Sequence, residues 1–140
     1  MSKGLIASLC LVTIALGVTD ESRRFPKTGL IRTEVVDRQF MGKSFLPSGT
    51  VGHYKQGKTE YSLFVAKLAS PTAAAIALSD WRKTMNGPKL IPSFGGYFGE
   101  DGGKPVFVFA KGPWIAGVKG LVQKEADLRA RTLASMLPTQ

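Results

Sequence analysis

The chain is expected to fold as an α+β domain, an antiparallel sheet built from hairpins with two helices packed on one face. Three observations lead there. Short apolar, β-branched segments flank glycine turns at "QGK" (56–58) and "EDGG" (100–103), which is the turn chemistry of hairpins. A stretch with helical apolar spacing follows each set of strands. The order strands–helix–strands–helix, with tight turns between strands, favours antiparallel pairing.

Residues 1–17 read as a secretory signal. Met1-Ser2-Lys3 is a short positive start, and the apolar centre "LIASLCLVTIAL" follows without a charge. As a helix rising about 1.5 Å per residue, that centre reaches roughly 18 Å, short of a hydrocarbon core of about 30 Å. Ala15-Leu16-Gly17 places small residues where a signal peptidase wants them, predicting cleavage before Val18. The protein is therefore expected to be exported, to a periplasm or outside the cell. The minority reading keeps the segment as an uncleaved membrane anchor.

"VTDESRRFPKT" (18–28) reads as a polar leader or flexible arm, and residues 29–138 as one domain. Within it, "LIRTEVV" is a first strand, and Pro47-Ser48-Gly49 is a turn. "TVGHYK" and "TEYSLFVAKL" form a hairpin, with Gly57 at a positive-φ position. Leu63 to Ala66 is apolar on both alternating faces, so this strand is expected to be central and covered on both sides. Ser70-Pro71 opens a helix as N-cap and first-turn proline. Its stripe is Ala74, Leu78, Trp81 and Met85, and Asn86-Gly87-Pro88 is its stop signal. "GGYFG", "KPVFVFAKG" and "WIAGVKG" are further strands, with Gly102 and Gly103 at a bend. The closing helix carries Val122, Ala126, Ala130, Leu133 and Leu137 on one stripe, with Leu128 off it, and Pro138 ends it. "YSLFVAK" (61–67) and "PVFVFAK" (105–111) are alike enough to suggest a duplicated hairpin-plus-helix unit.

Composition narrows the chemistry. Removing the signal leaves 123 of 140 residues, enough for a core without metal or disulfide staples. Cys10, the single cysteine, lies in the signal, so the mature chain would hold no thiolate nucleophile and no cysteine metal ligand. With His53 its one histidine, a histidine-rich zinc site is excluded, and no metal or cofactor is expected. The formal charge of +9 falls to +8 without Lys3; its basic residues are dispersed, which suits solubility as well as attraction to anionic surfaces. "GKS" at 42–44 is no phosphate-binding loop, because Asp37 stands where that motif needs a glycine. A catalytic histidine needs a nucleophile on one ring nitrogen and an orienting carboxylate on the other. Nothing in the linear pattern supplies either, so His53 reads as structural or surface. Asp37, Glu60, Asp80 and the Glu125/Asp127 pair are candidates for carboxylate acid–base chemistry, but no pattern brings two together. Lys55, Lys58, Lys104 and Lys111 lie near aromatic residues, yet export argues against a nucleic-acid partner.

The remaining candidate contact is "GGYFGEDGG" (95–103), five glycines in nine residues. Gly95, Gly96, Tyr97, Glu100 and Asp101 from it, with Trp114 after Gly112-Pro113, are the expected ligand or partner contacts. The competing reading is a plain glycine-rich hairpin. "LPSGTVGHYKQGKTEYSLFVAKL" together with "FGGYFGEDGGKPVFVFAKGPWIAGVKGL" resembles an uncharacterised family of exported bacterial proteins, a domain of unknown function. The resemblance covers residues 46–137, implies a bacterial envelope setting, and brings no activity or catalytic residue. The expectation is a non-enzymatic exported domain binding an envelope protein or small ligand. A weak charge-driven binder of anionic polymer or membrane, and a hydrolase with a carboxylate pair, are the alternatives.

Overall fold

The computed structural model describes residues 19–139, so the signal and its cleavage site lie outside the described residues. Seven strands form one antiparallel sheet: β1 (Leu30–Val36), β2 (Gly49–Gln56), β3 (Thr59–Lys67), β4 (Asn86–Ile91), β5 (Gly96–Asp101), β6 (Lys104–Lys111) and β7 (Trp114–Lys119). Helix α1 (Pro71–Thr84) follows β3, and α2 (Gln123–Ser135) follows β7. The strand order is β1-β2-β3-β7-β6-β5-β4. The chain thus crosses from β3 to the far edge through α1 and returns by a meander that closes on β3.

The α+β class and the hairpin-built antiparallel sheet are as expected; the placement of the helices is not. They take opposite faces. Alternation along β3 sends Leu63 and Val65 into one core with Ala126, Ala130 and Leu133 of α2, while Phe64 and Ala66 join Ala77 and Trp81 of α1 in another. β6 divides likewise, Phe107 and Phe109 toward α2 and Val106 and Val108 toward α1. Strands apolar on both faces need a cover on each side, and one layer of helices leaves half of that surface in water.

Local chemistry sets the boundaries. The Ser70 hydroxyl accepts the Ala73 N–H at 3.0 Å and Pro71 occupies the first turn of α1, satisfying an end group that helices otherwise leave bare. The α1 stop differs from expectation. Met85 leaves the helix in extended conformation, and Asn86-Gly87-Pro88 begins β4, with a register shift between Asn86 and Lys89. A proline is tolerated there because β4 is an edge strand, with no ladder partner on its outer side among the described residues. α2 is shorter than the expected stripe: Val122 is its exposed N-cap, Leu128 is exposed on it, Ala126, Ala130 and Leu133 form its buried face, and Leu137 is buried beyond its end. "YSLFVAK" and "PVFVFAK" become β3 and β6, which differ in context: β3 leads into α1, whereas β6 leads into β7 before α2.

The leader is not a loose arm over its described length. Ser22–Arg24 forms a 3₁₀ turn, Phe25 is 1% exposed, and the Glu21 N–H donates to Thr50 Oγ1 at 3.1 Å. The Tyr54 hydroxyl donates to the Pro26 carbonyl at 2.6 Å. Burial holds the Tyr54 phenol well above its ordinary pKa, so it remains a donor. Phe25 in "RRFPK" is an isolated apolar residue with no period around it, and only its landing site on β2 gives it a core role.

Candidate functional site

The glycine-rich hairpin and Trp114 do not assemble a site. Trp114 is 1% exposed and packs in the α2-side core, with the Arg24 guanidinium 5.2 Å and the Lys67 ammonium 5.8 Å from its ring centre. Tyr97 packs on the opposite, α1-side core, under the Arg82 guanidinium. Asp101 is engaged structurally, accepting Trp81 Nε1–H at 2.8 Å and pairing with Lys43 at 2.6 Å. Gly96 is buried where a Cβ would press on the Val108 carbonyl, and Gly95 turns the chain with φ +82°. Glu100 is exposed and makes no ion pair among the described residues. The hairpin reading of this segment accounts for Gly102 and Gly103, at φ +62° and +82°. "GKS" is structural too: Lys43 reaches Thr84, Asp101 and the face of Trp81, tying the Phe40–Gly42 turn to α1.

The polar groups that do converge lie on the α1-side face of the sheet, beyond the part that α1 covers. Strand register places Arg32, His53, Ser62 and Lys119 on one rung across β1, β2, β3 and β7. The adjacent rung is apolar where Val51, Phe64, Gly117 and Val108 face one another. Glu34, opposite Val51, reaches diagonally to His53. Over this surface the Phe40–Gly42 turn forms a wall, enclosing an open cleft of about 510 Å³ lined by Glu34, Met41, His53, Ser62, Lys104 and Lys119 among others.

The wall is backbone held in an unfavourable state. Gln39 and Met41 have φ of +48° and +57°, alongside Gly42 at +72°. A left-handed non-glycine residue costs about 1–2 kcal/mol. Burial of Phe40 and Leu46 against Phe64 offsets that cost, and such conformations concentrate at binding and catalytic sites.

His53 is held from both sides. Its Nε2 lies 3.0 Å from Glu34 Oε1, and its Nδ1 lies 3.4 Å from Ser62 Oγ. The hydrogen bond from His53 holds the Glu34 carboxyl below its usual range, and the nearby Arg32 guanidinium adds to that. An ionised Glu34 accepts the Nε2–H, which leaves the Nδ1 lone pair facing the Ser62 hydroxyl. Lys104 and Lys119 have no carboxylate within 4.0 Å among the described residues.

The carboxylates proposed for acid–base chemistry are dispersed. Asp80 pairs with Lys83 and Asp127 with Arg131, while Glu60 shares the cleft lining with Glu34. Among the described residues, no three His, Cys, Asp or Glu side chains gather as metal ligands, and no helix is long and apolar enough to cross a membrane.

No protein family, curated protein or solved structure matches this chain.

Proposed function

We propose that this protein is an exported domain that binds a small ligand in the cleft between the Phe40–Gly42 turn and the β1–β2–β3–β7 rung. The observation that carries the reading is convergence: groups from five strands and a strained turn line one concavity. Its size is within the roughly 300–1,000 Å³ of small-molecule sites. Lys104 and Lys119 favour a ligand with a negative or strongly polar end, and His53 and Ser62 add directional hydrogen bonds.

Nuclear magnetic resonance titration with a library of small polar metabolites tests this. Hits are expected to shift the amides of Met41, His53 and Ser62. Lys119→Ala should weaken them roughly tenfold, the worth of one charge-assisted hydrogen bond. A library whose hits map only around Trp114 or the 95–103 hairpin, or that yields none, would overturn the reading.

Export is the second half of the proposal, supported by the short apolar segment and the small residues before Val18. Protein recovered outside the cytoplasm is expected to begin at Val18. Intact Met1 on cytoplasmic protein would contradict it.

A further inference from the structure

A histidine flanked by a hydroxyl and a carboxylate in a cleft is the arrangement that activates a nucleophile. The fold builds it here from three neighbouring strands. We propose that Ser62 is the nucleophile of acyl transfer from a carboxylic ester to water, with His53 as its general base. This goes beyond reversible binding and rests on the cleft being the ligand site.

The parts stand in the required order. Glu34 on β1 receives the Nε2–H of His53 on β2, and the opposite ring nitrogen faces Ser62 Oγ on β3. The 3.4 Å separation is longer than the roughly 2.6–3.2 Å of a working nucleophile–base pair, and such pairs tighten when substrate closes the geometry. Lys119 sits directly across from Ser62 on β7, where facing Cβ atoms are about 5 Å apart. Its ammonium is the group available to stabilise an oxyanion formed over Ser62.

The chemistry balances without redox or cofactor. Ser62 Oγ attacks the ester carbonyl carbon as its proton passes to His53 Nδ1. The bond to the alcohol oxygen then breaks, and His53 returns the proton to that oxygen. Water, deprotonated by the same nitrogen, attacks the acyl carbon; the bond to Ser62 Oγ then breaks, His53 returns the proton to Oγ, and the carboxylic acid leaves. Glu34 is a positioning residue: it sets the tautomer and stabilises the transient imidazolium. The charged groups that share this surface with His53 are Arg32 and Glu34 on β1, Glu60 on β3, Lys119 on β7 and Lys104 on β6.

The test is covalent labelling of the protein with a fluorophosphonate at neutral pH, mapped by peptide mass spectrometry, beside hydrolysis of p-nitrophenyl acetate. One adduct is expected, on Ser62. Ser62→Ala should abolish both signals, and His53→Gln should slow labelling by about a hundredfold or more. Glu34→Gln should slow labelling by about tenfold or more without moving the urea midpoint, and Glu34→Asp should recover part of the rate, a pattern that a merely structural role would not produce. No adduct, an adduct on another serine, or a rate indifferent to His53→Gln overturns the proposal. Cleft ligands that bind while Ser62 stays unreactive overturn catalysis and leave the binding reading standing; absence of both removes the two together.

Discussion

Trp81→Ala is expected to destabilise the domain by about 3–5 kcal/mol, the usual cost of deleting a fully buried tryptophan. The ring is 1% exposed and stacks on Phe64 with 5.1 Å between centroids, and its Nε1–H is bonded to Asp101. Lys43 lies over its face and pairs with the same aspartate. Truncation therefore opens a cavity under α1, strips a donor from a largely buried carboxylate, and frees the turn that walls the cleft. With a urea slope of roughly 1–3 kcal/mol per molar for small proteins, the midpoint should fall by about 2 M. Trp81→Phe separates the contributions. It keeps most of the packing, loses the N–H, and should cost about 1–2 kcal/mol. A midpoint unchanged in Trp81→Ala would mean that α1 is not seated on this face.

Phe25→Ala should rank beside it, again at about 3–5 kcal/mol. Phe25 fills the space that Gly52 leaves open, where a Cβ would stand 3.0 Å from its ring. It anchors a segment otherwise held by the Glu21–Thr50 and Tyr54–Pro26 hydrogen bonds. Amide hydrogen exchange at Glu21 should accelerate with the loss. The comparison is Arg23→Ala: its guanidinium is largely exposed, and Arg24 pairs with the same Glu21 oxygen, so removing it should change stability by less than about 0.5 kcal/mol. Equal effects from the two substitutions would return residues 19–28 to the status of a loose arm.

The candidate site shows where linear reading stops. The Gly57 turn was legible, and it decides what faces His53. A three-residue "QGK" loop pairs His53 with Tyr61. The observed turn has two residues, Gly57 and Lys58, between paired Gln56 and Thr59, and so sets His53 opposite Ser62. One residue of register moves every side chain to the other face. Glu34 was further out of reach, because the β1–β2 register is set across a twelve-residue connection by the burial of Phe40 and Leu46. No local rule fixes it. Trp114 failed in the opposite sense: a glycine–proline turn before it resembles an exposed corner, yet alternation along β7 carries it with Ala116 and Val118 into the α2-side core.

Local chemistry in the chain determined the hairpin turns, the capped start of α1, the apolar stripes of both helices and the two-faced character of β3. These are short-range choices, made by backbone conformation and side-chain period within a few residues. The tertiary structure alone decided that the helices take opposite faces, that Phe25 and Trp114 are core, and that Glu34, His53 and Ser62 meet. Those outcomes depend on the register and layering of strands distant in sequence, which are set by the total apolar surface that must leave water.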